Sequence, residues 1–596
     1  MQKYKFKNKK YTYWDSLRLS IKSSPVITIV YIVMSLIAAI LPTYQVIVNA
    51  RFIDGAIGLF QKEVTRTHVY SSLAIVILII AYQWMIEPVK VYLSKKMEKT
   101  LRVNVRSAFV EKCSKLEFRY IENTSSMDLI KRVSENMETK IMDGFVNLLN
   151  LLSIVITIAG LLIVLMSEIA GVTFIIIAVA IPLLYLAFIS GKATYEANKE
   201  ITKYQRKFKY LSQVMLDREA VDERTLFDYN PMLNEKWFEQ YEISRKMETK
   251  TRAKWFIKLK SGSLITALLC IFIATVLINP VVTGVITIGM FFSLINATFD
   301  LVHTMSWSLT RLIEAVSTHM EYLKELTIFA QMDQKDDADA KPAGGMQFER
   351  LEFRGVSFRY PGTEKYILHN LTLKIENGKH YAFVGANGAG KTTIAKLLTG
   401  LYREYEGEIL INEKELREYS AAELKYFFSV VYQDFAKYSV SIWDNIALGN
   451  INQVKEETIQ TAISSLKLDE VINKLPEGAN TLLGKLKQDG KDLSGGEWQR
   501  IALARCFVSE APIRVLDEPT AALDPIAESN LYSEFEKLCK GRTTLFFSHR
   551  LGSIKLANYI YVIQDGHVEE EGTHDQLMNN RALYYTMYDN QRRWYE

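Results

Sequence analysis

Gly385–Ala386–Asn387–Gly388–Ala389–Gly390–Lys391–Thr392–Thr393 decides the fold of the C-terminal part of this chain. A short apolar run, Tyr381–Val384, leads into it, and Ile394–Leu398 continues beyond it with helical spacing. A strand, a glycine-rich loop and a helix in that order make a phosphate cradle. The glycines let backbone N–H groups turn inward, and the helix N-terminus adds partial positive charge. Gly385, Asn387, Gly388, Gly390, Lys391, Thr392 and Thr393 are the candidate contacts. Lys391 has the reach for the β- and γ-phosphates of ATP, and the Thr392 hydroxyl suits Mg²⁺. The plain alternative is a glycine-rich turn before a helix. The bare pattern arises by chance in about one chain in fifty of this length, and its strand–loop–helix context argues against chance.

A second apolar run, Ile513–Arg514–Val515–Leu516, ends in Asp517 and Glu518. A buried strand delivering two acids after a phosphate loop suggests Asp517 toward Mg²⁺ and Glu518 as general base for the attacking water. From Gln347 onward short strands alternate with helices, the pattern of an α/β domain around a mostly parallel sheet. A polar stretch ending in Pro342, Gly344 and Gly345 precedes it as a linker.

Upstream the character changes. Six apolar stretches approach the roughly 20 residues a membrane helix needs: Pro25–Val46, Val69–Ile86, Val146–Met166, Ala170–Ile189, Leu264–Ile278 and Val282–Trp307. Ser167–Glu168–Ile169 and Asn279–Pro280 read as tight turns, whereas Glu87–Phe145 and Ser190–Ser263 are long, Lys/Arg-rich and helix-forming. The positive-inside rule places those long segments and the Lys-rich N-terminus in the cytoplasm. Spans two to five should therefore extend as helices well past the bilayer. The expected fold is an all-α six-helix transmembrane domain with long cytoplasmic extensions, fused to an α/β phosphate-loop ATPase domain. Its divisions are a cytoplasmic segment 1–24, a transmembrane domain 25–330, a linker 331–346 and a nucleotide-binding domain 347–596. A net charge of +5 over 596 residues gives no footprint for nucleic acid. The four cysteines, Cys113, Cys270, Cys506 and Cys539, have no paired spacing and read as reduced packing residues.

Leu493–Ser494–Gly495–Gly496–Glu497–Trp498–Gln499–Arg500 resembles the signature sequence of the ATP-binding cassette (ABC) family. Other family motifs follow in family order. Tyr360 resembles the aromatic that stacks on adenine, and Gln433 the glutamine that links the Mg²⁺ site to the membrane domain. Asp524, in Ala522–Leu523–Asp524, resembles the loop between the two sites, and His549 the switch histidine on the γ-phosphate. Glu117, Arg119, Tyr120, Asp128, Leu129 and Arg132, then Arg218, Glu223 and Phe227, fall where exporters of the family place two coupling helices. Segment 485–492 departs from the acidic stretch that many exporters carry before the signature.

The resemblance implies a half-transporter that binds ATP and Mg²⁺ and pairs with a second chain, a homodimer being the simplest form. Ser494, Gly495 and Gly496 would then meet the γ-phosphate held by the partner. Glu518, His549 and Gln433 would be the catalytic residues, with Thr392, Gln433 and Asp517 around the metal. Two ATP molecules between two cassettes would drive alternating access in a bacterial cytoplasmic membrane, both termini and the ATPase domain lying in the cytoplasm. Tyr432–Tyr438 and Trp498 resemble exporters of modified antimicrobial peptides. About 24 residues precede the first span, which leaves leader removal to a separate protease. Lipid or drug export, and an ATP-gated channel or sensor, are the rival readings. Asp300 and His303 share one face of the sixth span, as a cargo contact or as a structural pair.

Overall fold

A computed structural model describes residues 4–168, 203–217, 220–304, 308–335, 345–451, 455–484, 490–520, 538–548 and 554–595, with single positions between them. The chain divides into two compact units, Met1–Cys113 with Asp128–Met332, and Ser114–Met127 with Asp333–Glu596. The sequence reading drew 25–330 as one continuous domain. Residues Ser114–Met127 instead cluster with the second unit, because Phe118 packs against its hydrophobic core.

In the first unit, α1 (Tyr13–Ser23) is a short amphipathic helix, and α2 (Pro25–Phe60) begins with a proline at its first turn, where no N–H is missed. The next helix, α3 (Arg66–Lys115), runs 50 residues, about 75 Å at 1.5 Å per residue and far more than a bilayer core. In the second unit lie α4 (Phe118–Glu122) and the start of α5 (Thr124–Ser134). The first unit continues with α6 (Met137–Glu168), α7 (Val221–Phe227), α8 (Asn230–Val282), α9 (Ile288–His303) and α10 (Leu309–Gln331). Among the described residues α2, α3 and α6 are long and apolar enough to cross a membrane, and Ile271–Val282 and Ile288–Leu301 are shorter apolar helices. The expected fourth span, Ala170–Ile189, falls outside the described residues apart from single positions.

The expected turn at Asn279–Pro280 is not there. Helix α8 passes through both residues to Val282. Pro280 lies in the last turn, where its missing N–H forfeits one bond, and Thr283 N still reaches Asn279 O at 2.9 Å. The helix stops at Gly284, whose φ of +73° suits only glycine comfortably. Thr287 then caps α9, its hydroxyl accepting from Met290 N at 3.1 Å, so the sixth span begins at Ile288 and not at Val282.

Small and hydroxyl residues join α2 to α6, as expected where lipid removes the hydrophobic drive between helices. Thr157 Oγ1 donates to Ala39 O at 2.8 Å, and a Cβ on Gly160 would lie 2.1 Å from Thr43 Oγ1. Beyond the apolar spans, Glu138 of α6 is held by Arg102 and Arg106 of α3 at 2.9 and 2.8 Å. Buried Lys112 donates to Ala330 O and Met332 O at 3.0 and 2.9 Å, satisfying carbonyls at the end of α10.

The second unit holds two sheets. β1 (Arg350–Phe358), β2 (Leu368–Glu376), β4 (Glu406–Ile411) and β5 (Lys414–Glu415) form an antiparallel sheet in the order β2-β1-β4-β5. β3 (His380–Val384), β6 (Phe428–Val431), β7 (Ile513–Asp517), β8 (Thr543–Phe547), β9 (Tyr559–Gln564) and β10 (His567–Gly572) form the other, in the order β10-β9-β3-β8-β7-β6. All its pairings are parallel except β9–β10. Every residue of β7 and β8 is buried, as a parallel sheet covered on both faces requires. The rings of Phe383 and Phe547 stack 4.5 Å apart and tie β3 to β8. The loop after β3 and the acidic pair at the end of β7 thereby lie at the carboxyl ends of parallel strands, where open parallel sheets place their ligands.

Candidate functional site

The loop after β3 runs Gly385 to Gly390 and opens into α11 (Lys391–Leu398). Gly388 and Gly390 have φ of +83° and +106°, left-handed values that an L side chain resists. A Cβ on Gly385 would lie 2.2 Å from Ile563 O, so the loop also needs glycine there for space. Lys391, 7% exposed, sits inside the loop and donates from Nζ to Gly385 O at 2.8 Å and Ala386 O at 2.9 Å. Burial pushes its pKa down, with Glu518 and Asp517 opposing the fall.

Asp517 ends β7 and is 1% exposed, and neither carboxylate oxygen meets hydrogen-bond geometry with any described residue. Burial pushes its carboxyl up to about 6, with Glu518 adding to the rise and Thr392, Lys391 and Lys396 opposing it. An orphaned buried carboxylate beside a threonine hydroxyl supplies hard oxygen ligands, which fits Mg²⁺. Among the described residues no group of three or more His, Cys, Asp or Glu forms a closed metal cage. Mg²⁺ usually takes one or two carboxylates and completes its shell with water and phosphate.

Glu518 follows at φ +48°, a strained value for a non-glycine residue that such sites tolerate. Its N–H donates to Phe547 O at 2.9 Å, and its carbonyl accepts from Gln499 Nε2 at 3.1 Å. Gln499 belongs to α12 (Gly495–Phe507), the helix of the signature sequence. Ser494 is the N-cap of α12 in a capping box. Glu497 N donates to Ser494 Oγ at 3.3 Å, and Ser494 N donates to the Glu497 carboxylate at 2.7 Å. Ser494 and Gly495 are exposed, so this helix N-terminus faces outward, able to receive an anion.

Tyr360 lies just beyond β1, half-buried, its Oη 2.9 Å from Thr393 Oγ1. Gln433 is exposed two residues past β6. The structure thus brings the phosphate loop, Asp517, Glu518 and Tyr360 together. His549, Asp524 and Arg218 lie outside the described residues, as does 485–489 of the departing segment. Arg119 pairs with Glu404 and, at 2.8 Å, with Asp333, and Tyr120 Oη donates to Asp333 at 3.0 Å. Arg132 pairs with Glu325 at 2.7 Å in the first unit. Glu223 and Phe227 on α7 are exposed. Asp300 is exposed near the end of α9, and His303 is the last residue of that helix.

Three groups escaped the sequence reading. Gln499 was part of a motif but had no role. Lys396 sits on α11, spaced like any surface lysine, yet forms an ion pair with Glu122 at 2.7 Å. In the first unit a cavity of about 520 Å³ is lined by Glu87, Lys90, Asn147, Asn150 and Arg311 among others. Its polar residues come from α3, α6 and α10, so no single stretch of sequence announces it.

Residues 28–214 match the ABC transporter transmembrane region family, and residues 368–521 match the ABC transporter family. The chain is 27% identical over 557 residues to the subtilin transport ATP-binding protein SpaT of Bacillus subtilis, covering 93% of this chain and 90% of that protein. It is 39% identical over 262 residues to the ATP-dependent lipid A-core flippase of Escherichia coli (strain K12), covering 43% of this chain and 44% of that one. To the flippase of Shigella sonnei (strain Ss046) it is 35% identical over 324 residues, 51% of this chain and 55% of that one. The chain thus spans about half the length of these flippases. In fold it is similar to a bacterial Atm1-family ABC exporter with ATP bound, with a TM-score of 0.78 at 20% identity over 94% of this chain and 98% of that one.

Proposed function

Given that this chain belongs to the ABC transporter family, as a half-transporter of the exporter type, we propose that two copies pair to export a modified antimicrobial peptide across a bacterial cytoplasmic membrane. The observation that carries the cargo class is the similarity to a subtilin transport protein, which covers 93% of the chain. The higher identity to lipid A-core flippases covers 51% or less of it and favours lipid export as the second reading. The multi-pass membrane domain supports that location, and the reading puts the ATPase unit on the cytoplasmic side.

In this reading Lys391 exchanges its loop carbonyls for the β- and γ-phosphates of ATP. Thr392, Asp517 and Gln433 would hold Mg²⁺, which when bound would neutralise charge on those phosphates. Glu518 takes the proton of the attacking water, and His549 faces the γ-phosphate. Ser494 and the amides of Gly495 and Gly496 close over the γ-phosphate held by the partner. Asp524 lies between the two sites. ATP therefore joins two cassettes, hydrolysis releases them, and the segments at Arg119 and at Glu223 carry the motion to the membrane helices as alternating access. Asp300 and His303, with the cavity at Glu87, Lys90 and Arg311, contact the cargo.

The test is ATPase stimulation of the purified chain in nanodiscs by candidate peptides, lipids and drugs. Stimulation by a modified peptide at concentrations where lipid A-type lipids and drugs are inert is the expected result. Stimulation by lipid alone would move the assignment to the second reading.

A further inference from the structure

The cavity of about 520 Å³ in the first unit is walled by residues at helical spacing. Asn147, Asn150 and Thr157 share one face of α6, and Arg311 and Ala315 share one face of α10. Glu87 and Lys90 join them from α3. The three charged residues among these are not balanced. Lys90, with 8% of its side chain exposed, donates from Nζ to Glu87 Oε1 at 3.0 Å and lies 5.7 Å from the centre of the Tyr31 ring. That ammonium and that acid answer each other. Arg311 is exposed, lines the cavity and pairs with none of the described acids. The Ser153 and Thr157 hydroxyls are spent on α2, donating to Ser35 O at 3.3 Å and to Ala39 O at 2.8 Å. The donors left toward the cavity include the Arg311 guanidinium and the side-chain amides of Asn147 and Asn150.

We infer that this cavity takes a free carboxylate of the peptide cargo and that Arg311 is the residue that selects it. The inference rests on the peptide-export reading and names the chemistry its cargo must carry. A charged group bordering a membrane span rarely faces lipid, and one that lines a cavity marks a path for cargo or ions. The guanidinium presents a planar fork that matches the two oxygens of a carboxylate, and the amides of Asn147 and Asn150 can donate beside it. Charge decides between a carboxylate and a phosphate. Two cations and one acid leave the described lining with one uncompensated positive charge, which a single carboxylate cancels. A phosphate monoester carries about −1.5 to −2 at pH 7 and would leave the site negative. The volume lies within the roughly 300–1,000 Å³ of small-ligand sites, room for one end of a peptide. A carboxylate held from both α6 and α10 favours the arrangement that brings them together, so bound cargo biases the transport cycle.

The experiment measures ATPase stimulation of the full chain in nanodiscs of zwitterionic lipid. The probes are a modified antimicrobial peptide without Asp or Glu, bearing a free C-terminal carboxylate, and the same peptide as its C-terminal amide. Lipid A with and without its phosphates forms a second pair. In wild type the acid should reach half-maximal stimulation at a concentration about tenfold or more below that of the amide, the range of a hydrogen-bonded charge. Arg311→Gln, an exposed change whose fold a melting curve checks, should bring that ratio toward one, and Arg311→Lys should restore part of it. Equal potency of acid and amide in wild type would overturn the carboxylate site and leave peptide export standing. So would an Arg311→Gln variant that weakens both peptides by the same factor. Silence from both peptides, with stimulation by phosphorylated lipid A alone, would instead remove the peptide reading on which the inference rests.

Discussion

The side-chain amide of Gln499 donates to the carbonyl of Glu518 at 3.1 Å, so the helix capped by Ser494 holds the backbone of the residue that follows β7. The Glu518 N–H is fixed at the same time by Phe547 O of β8 at 2.9 Å. A residue at φ +48° stores roughly 1–3 kcal/mol of strain and keeps its conformation only while its surroundings over-determine it. Gln499→Leu removes one of those restraints at nearly constant volume in a buried position. It should lower kcat about tenfold with KM for ATP nearly unchanged, since misplacing a catalytic group costs rate before affinity. Nanodisc ATPase kinetics, with a melting curve to confirm the fold, check this. A wild-type kcat would show that β7 and β8 hold Glu518 without the helix.

Glu518→Gln should bind ATP almost normally and hydrolyse it at least about a hundredfold more slowly, as loss of a general base requires. Lys391→Ala should fail differently, by weakening binding itself, because its Nζ is the ammonium already enclosed by the loop carbonyls of Gly385 and Ala386. Equilibrium binding and single-turnover hydrolysis, measured side by side, separate the two. Near-normal hydrolysis in Glu518→Gln would assign the base elsewhere.

If Asp517 is a ligand of Mg²⁺, the metal requirement depends on pH. Burial raises its folded-state pKa to about 6 from an ordinary carboxylate value, so the folded protein binds the extra proton between the two. The carboxylate charge therefore costs stability above pH 6, and the cost disappears on protonation below it. Mg²⁺ competes with that proton. The Mg²⁺ concentration for half-maximal nucleotide binding should rise below pH 6, approaching about tenfold per pH unit. A Mg²⁺ requirement independent of pH between 7 and 5 would exclude Asp517 as a ligand.

The parts legible in the sequence were those whose geometry is local. The phosphate loop needs glycine at Gly388 and Gly390 for reasons of φ, and the Ser494–Glu497 spacing is a capping box wherever it occurs. The length of α3 and α8 followed from helix-forming charged residues continuing an apolar span. What escaped depended on contacts distant along the chain or on weighing two local signals. The packing of Phe118 on Tyr402 joins residues far apart along the chain, and Phe118 alone reads as one more apolar position. At the end of α8 Pro280 alone reads as a turn, whereas a proline in a last turn breaks little and the chain reverses at Gly284 before the Thr287 cap.

If the exposed N-terminus at Ser494 serves a partner's nucleotide, two defective chains can complement each other. Ser494→Arg should abolish activity in a pure dimer, as should Lys391→Ala. A mixed dimer of the two contains one site with both defects and one with neither. Co-reconstituted, tagged chains purified as mixed dimers should recover part of the wild-type ATPase rate. Full activity in pure Ser494→Arg would remove the signature from the site.

His319 of α10 predicts an acid-sensitive joint beyond the apolar spans. Its ring is 5% exposed, 3.1 Å from Ser16 Oγ of α1 through Nε2, and centred 4.9 Å from the Tyr13 ring. Gly144 of α6 gives it room, since a Cβ there would fall 2.0 Å from Nε2. Burial lowers the histidine pKa to about 4 from 6.5. An unfolded chain then takes up the proton first, so the contribution is complete above pH 6.5 and is lost as pH falls toward 4. The loss is on the order of 3 kcal/mol for this joint. His319→Gln, which keeps a hydrogen-bonding group toward Ser16, should flatten the fall in melting temperature across that window. Gly144→Ala should instead lower stability at every pH by about 1–3 kcal/mol, the usual cost of overpacking. Melting curves of the detergent-solubilised chain at a series of pH values distinguish the two patterns. An unaltered acid transition in His319→Gln would place the sensitive group elsewhere.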